Sequence, residues 1–189
     1  MAPAFAPHDH DDPGGGGGSD DYLSGLVRRY EGPLILYAQR LLRGDLGRAR
    51  DVVQETFLRL CREVKGRGLA GEIRGREAAW LYTVCRRAAL DVQRKERRMS
   101  LIEDQTAAVL PSLAPDPAIA VERTESAADV LRMIERLPEN QREAIVLKFG
   151  HGLSYKEIAG VTGLSVSNVG FLIHTGLKAV RQRLTGAAV

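Results

Sequence analysis

The sequence predicts an all-α fold, two small helical domains joined by a flexible linker. Three observations lead there. Apolar side chains recur three and four apart through most of residues 20–184, no stretch alternates apolar and polar residues as a half-buried strand would, and Pro111, Pro115 and Pro117 interrupt the helical pattern midway.

Residues 1–19 carry three Asp, His8, His10 and the run Gly14 to Gly18. Such a segment buries too little apolar surface to offset its chain entropy and is expected to be a disordered tail. A first domain follows at 20–98. Leu23, Leu26, Val27 and Tyr30, then Leu34, Tyr37 and Leu41, mark a helix with a break or kink at Gly32-Pro33. Val53, Phe57, Leu60, Cys61 and Val64 mark the buried stripe of a second helix. Residues 66–76 hold four glycines and four charged side chains and read as a flexible loop. A third helix is expected from about Glu77 to Arg98, burying Ala78, Leu81, Cys85, Ala88 and Val92. Residues 99–125 are the linker.

The second domain is expected over 126–185. Val130, Leu131, Ile134 and Leu137 give one stripe, Pro138 suits the first turn of the next helix, and Gly150 ends it. Then come two helices with a tight turn. Ser154 and Glu157 have capping-box spacing, Gly163 supplies a left-handed stop, and Ser165 is a second N-cap. Val166, Val169, Ile173, Leu177, Val180 and Leu184 form the expected buried stripe of the last helix, leaving its other face free. This is the geometry of a helix-turn-helix that enters a DNA major groove, although plain helical hairpins share it.

Composition narrows the function. Cys61 and Cys85 lie far apart at stripe positions with no CxxC and no clustered His, so reduced core thiols are expected, with no metal and no cofactor. No apolar run approaches membrane-spanning length and no signal-like N-terminus is present, which points to the cytoplasm. The net charge of +3 conceals a segregation along the chain. Residues 65–98 hold ten Lys/Arg against four Asp/Glu, residues 99–126 one against five, and residues 127–189 eight against five. Two basic blocks flanking an acidic spacer suit a chain that touches nucleic acid twice. No nucleophile–base pair is recognisable, so no catalytic residue is expected and the chain is not read as an enzyme.

Two surfaces outside the hairpin sharpen this reading. Asp51, Gln54, Glu55 and Leu58 fall opposite the core stripe of the second helix and form a docking face. Trp80 followed by Arg86, Arg87, Arg94, Lys95, Arg97 and Arg98 places an exposed aromatic beside a basic helical face, the combination that unstacked bases and their phosphates require.

Taken in order, Asp51-Val-Val-Gln-Glu-Thr-Phe, Trp80 to Arg98, and Leu137-Pro138 through Leu184 resemble three motifs of the bacterial RNA polymerase sigma factors of the extracytoplasmic-function (ECF) branch. The resemblance covers roughly residues 20–184. It implies that 20–98 is the region 2 domain and 126–185 the region 4 domain, and that the chain binds core polymerase and directs it to promoters. By that resemblance Asp51, Gln54, Glu55 and Leu58 meet the clamp coiled coil of the largest polymerase subunit, and the arginines of the third helix hold promoter DNA near the melted element. Ser165, Ser167, Asn168, Phe171, His174 and Thr175, with Lys156, Lys178 and Arg181 on phosphates, would face the upstream minus-35 element. An anti-sigma factor is a further partner the resemblance allows.

Two departures stand out. Gly170-Phe171-Leu172-Ile173-His174-Thr175 lacks positive charges usual there in the family, so weak upstream binding is expected, with a protein-binding patch at Phe171 and Leu172 as the alternative. Arg87 stands where the family often has Asn, so base preference in the melted element would differ. A free-standing repressor would not need the Asp51 motif, and a protein-binding adaptor would leave the basic block at 86–98 without a purpose.

Overall fold

The computed structural model describes residues 19–66, 73–103 and 125–186. Among them every regular element is helical: α1 Ser19–Leu41, α2 Leu46–Gly66, α3 Glu77–Glu103, α4 Glu125–Glu135, α5 Glu139–Ile145, α6 Tyr155–Thr162 and α7 Val166–Gly186. Of the tail expected at 1–19 only Ser19 is described, as the first residue of α1; residues 67–72 of the glycine-rich loop and 104–124 of the linker expected at 99–125 also lie outside the described residues, while 99–103 and Glu125 belong to helices.

Helix α1 runs through Gly32-Pro33 without a break. An interior proline forfeits a backbone hydrogen bond and costs roughly 3 kcal/mol. Here Leu34, Tyr37 and Ala38 follow it directly into the core at 0–2 % exposure, and that packing holds the helix together. The helix ends where Arg43 (φ 56°) and Gly44 (φ 93°) turn left-handed and the Gly44 amide donates to the Gln39 carbonyl at 2.8 Å. Asp45 then caps α2, its Oδ1 accepting from the Arg48 amide at 3.0 Å.

Along α2 the buried residues Ala49, Val52, Val53, Thr56, Leu60 and Val64 keep the three-and-four spacing, while Phe57 and Cys61 flank the stripe half-buried. Thr56 satisfies its hydroxyl within the helix, donating to the Val52 carbonyl at 2.8 Å. Helix α3 buries Leu81, Tyr82, Cys85, Ala88 and Ala89 and continues five residues past the expected end, to Glu103. Its Gln93 side chain donates to the Leu41 carbonyl, one of the acceptors that the end of α1 leaves open. Both cysteines are free, and burial pushes the Cys85 thiol up to about 12.

In the second half, α5 widens into a π-helical turn over Val146–Gly150 that Gly150 closes. The last helix differs from expectation. Its buried positions are Val169, Ile173, Gly176 and Val180, spaced four, three and four, whereas Val166, Leu177 and Leu184 are 39–48 % exposed. The stripe passes through a glycine because α5 crosses there. A Cβ on Gly176 would stand 2.7 Å from Ile145 Cδ1 and 3.4 Å from Gln141 Cβ. A small core of Leu137, Ile145 and Val180 joins α4, α5 and α7.

The two halves pack on one another. Ala144, Leu147, Leu153, Ile158, Val161, Val169 and Ile173 belong to the same buried cluster as the inner faces of α1, α2 and α3. At their seam Glu143, 9 % exposed, accepts a 2.7 Å hydrogen bond from the Tyr37 hydroxyl and is held by Arg86 through Nε at 2.8 Å and Nη2 at 3.3 Å. The His151 ring lies 4.5 Å from Tyr82 and 6.2 Å from Tyr37.

Candidate polymerase and nucleic-acid interfaces

Because Val52, Val53, Thr56 and Leu60 turn inward, the intervening residues of α2 must face out. Asp51, Gln54 and Leu58 are exposed, and Leu58 leaves 46 % of its surface in solvent. Glu55 is partly exposed, with Arg59 Nε at 2.9 Å and Arg62 Nη1 at 3.7 Å. The hydrogen bond from Arg59 holds its carboxyl below the usual range. Ion pairs this exposed contribute little to stability. A groove of about 460 Å³ separates it from α3, with Asp51 and Glu55 on one wall and Asp91, Lys95 and Met99 on the other.

On α3 the groups Arg87, Arg94, Lys95, Arg97 and Arg98 are all exposed, and Arg94 makes only a marginal 3.4 Å contact with Asp91. These five form the basic face that was expected. Two neighbours do not join it. Trp80 is half-buried against the main core and is not the exposed stacking platform expected. Arg86 faces the seam and is held by Glu143, leaving no fork for a phosphate in this arrangement.

The hairpin forms as its sequence indicates. The Ser154 amide donates to Glu157 Oε2 at 2.7 Å and the Glu157 amide returns to Ser154 Oγ at 3.3 Å. Gly163 is left-handed at φ 77°, and the chain bends by 103° between α6 and α7, inside the range of DNA-binding hairpins. Lys156, Ser167, Asn168, Phe171, His174, Lys178 and Arg181 are exposed on this unit, Phe171 by 63 %.

Other residues expected there have duties of their own. Ser165 Oγ accepts from the Asn168 amide at 3.2 Å as the cap of α7. The Thr175 hydroxyl donates back to the Phe171 carbonyl at 2.8 Å, so it is turned along its own helix and away from any base edge. Leu172 packs partly buried against the core, leaving Phe171 alone to form the apolar patch for which both were considered. Gly170 gives passage to the Tyr155 ring, 3.6 Å from where its Cβ would be.

Sequence reasoning missed the seam. Glu143, Tyr37 and His151 read as ordinary helix and turn residues, since a single sequence carries no signal that positions 106 residues apart will meet. No single helix among the described residues is long and apolar enough to cross a membrane.

Residues 26–99 match the Sigma-70 region 2 family and residues 127–180 the Sigma-70 region 4 family. The chain is 32 % identical over 162 residues to the ECF RNA polymerase sigma factor SigE of Mycolicibacterium smegmatis, covering 84 % of this chain and 60 % of the relative. It is 26 % identical to the ECF sigma factor SigW of Bacillus subtilis, covering 88 % of this chain and 91 % of the relative. Its fold matches the sigma factor RpoE in complex with the anti-sigma factor NepR from Bartonella quintana (TM-score 0.59, 20 % identity, covering 88 % of this chain and 96 % of the other). CnrH in complex with the cytosolic domain of CnrY gives a TM-score of 0.55 at 24 % identity, covering 89 % and 91 %. With an outward acidic and apolar face on α2, a basic face on α3 and a capped helix-turn-helix matching these two family regions in order, the chain belongs to the sigma-70 family, in its ECF branch.

Proposed function

We propose that this chain binds core RNA polymerase through Asp51, Gln54, Glu55 and Leu58, and directs it to promoters by holding the melted element with α3 and the upstream element with α7. The observation that carries this reading is the α2 face itself, whose charged and apolar groups point outward and serve no packing purpose. The polymerase would supply all the chemistry. This chain would contribute contacts alone, acting in the cytoplasm where the polymerase works.

The closed packing bears on how it acts. The upstream and melted elements lie at separate places along the duplex. Helices α3 and α6 touch, so both elements cannot be read until the halves part. Parting would free Arg86 from Glu143, restoring a DNA contact that the closed form withholds. An anti-sigma partner would act by preventing it.

The docking face is tested by Gln54→Ala with Glu55→Ala, which alters surface groups only. Co-purification with core polymerase should fall at least tenfold while helicity by circular dichroism stays unchanged. Undiminished capture of the folded double variant would remove α2 from the interface.

A further inference from the structure

Between the C-terminal end of α1, the middle of α3 and the start of α5 lies a crevice of about 290 Å³. Arg40, Arg43 and Arg97 line it from the first half and Arg142 from the second, with Glu139 and Glu143 as the acidic groups among them. Arg43 and Arg97 also line an adjoining hollow of about 220 Å³. Glu143 is already engaged by Arg86 and Tyr37, and Glu96, which lines the adjoining hollow, pairs with Arg48, so arginines outnumber carboxylates around the seam.

Two details single out these arginines from ordinary surface charge. The Nε of Arg142 is buried with no hydrogen-bond acceptor, although its Nη2 donates to the Leu137 carbonyl at 3.3 Å. A buried donor left unpaired is costly and normally marks the place of a missing acceptor. Arg43 holds its place with φ 56°, the one non-glycine residue among those described with a positive φ. A long side chain in that conformation is strained, and such strain gathers at ligand clamps.

We propose that this seam is a binding site for a small polyanion with a run of adjacent phosphates, either inorganic polyphosphate or the phosphate end of a nucleoside polyphosphate. Guanidinium forks suit vicinal phosphate oxygens, and a crevice of this size admits a triphosphate but no duplex. Because both halves supply ligands, the bound anion favours the closed chain over any open form. Arg97 is shared with the basic face of α3, so the anion and promoter DNA oppose one another's binding.

The test is calorimetric titration of the full chain, without polymerase or DNA, at fixed ionic strength, so its failure would leave the sigma-factor reading untouched. Sodium tripolyphosphate is the first probe, ATP the second and sulfate the control. Saturable one-to-one binding of tripolyphosphate or ATP is expected, with sulfate at least tenfold weaker. Arg142→Gln and Arg43→Gly should each weaken it at least tenfold, the second in a chain whose turn glycine accommodates better. Arg28→Gln, on the same helix as Arg40 but about 18 Å along it, should leave it unchanged. Tighter binding of ATP than of tripolyphosphate identifies a nucleotide as the natural ligand, and the reverse identifies free polyphosphate. An absence of saturable binding, or equal losses in Arg28→Gln and Arg142→Gln, would show diffuse attraction to a basic protein and overturn the site.

Discussion

At His151 the imidazole sits against Tyr82 and Tyr37, with Nε2 buried and without a hydrogen-bond acceptor. Burial, reinforced by the positive charge of Arg40, pushes its pKa down from 6.5 to about 4. The folded value lies below the unfolded one, so the neutral ring stabilises the packed form above pH 6.5, and that contribution is lost as pH falls through 4. Thermal unfolding midpoints measured from pH 7 to 4 should therefore fall, and less steeply in His151→Phe. Glu143 works by a different route. Removing it leaves Arg86 and the Tyr37 hydroxyl unpaired in a mostly buried seam, and breaking a buried pair in this way costs roughly 3–5 kcal/mol. Arg86 keeps 21 % of its side chain in solvent, so Glu143→Ala should cost about 3 kcal/mol in urea unfolding and enlarge the radius of gyration by X-ray scattering. Neither residue was legible in advance. Glu143 ends the polar run Glu139 to Glu143, where its charge reads as one more solvated group, and Arg86 was assigned to DNA because basic residues follow it in sequence.

Helices α2, α6 and α7 show which local signals are sufficient. Capping chemistry reads directly from sequence because its partners lie three residues apart, and both Ser154 and Ser165 act as expected. The outward face of α2 was equally legible, since period alone separates Asp51, Gln54 and Leu58 from Val52, Val53 and Thr56. Hydrophobicity misled at α7, where Leu177 attracted the stripe that Gly176 occupies, because a close helix crossing selects the smallest residue and not the most apolar one. Trp80 misled in the opposite sense, since it packs half-buried against the main core where an exposed ring was expected. On α3 the exposed Arg94, Lys95, Arg97 and Arg98 are expected to neutralise phosphates. Replacing them in pairs by Gln should reduce open-complex formation on every promoter and flatten its dependence on salt, by close to one unit of logarithmic slope per charge removed. A slope equal to the parent's would mean that these side chains only solvate a helix end.

For the whole molecule, the all-α class and the two family regions followed from periodicity and ordered motifs, while the association of the halves did not. Leu153, Ile158 and Ile173 are apolar enough to close a core within their own half, yet they share one with Leu34, Leu60 and Leu81. On the proposed function, that shared core must part before both promoter elements can be read. Run-off transcription with purified core polymerase on a promoter library tests the central claim most directly. Adding this chain should produce transcripts from a discrete set of start sites that core polymerase alone does not use, and Gln54→Ala with Glu55→Ala should abolish them. Transcripts unchanged by the chain, together with tight duplex binding in the absence of polymerase, would contradict it and identify a free-standing DNA-binding protein.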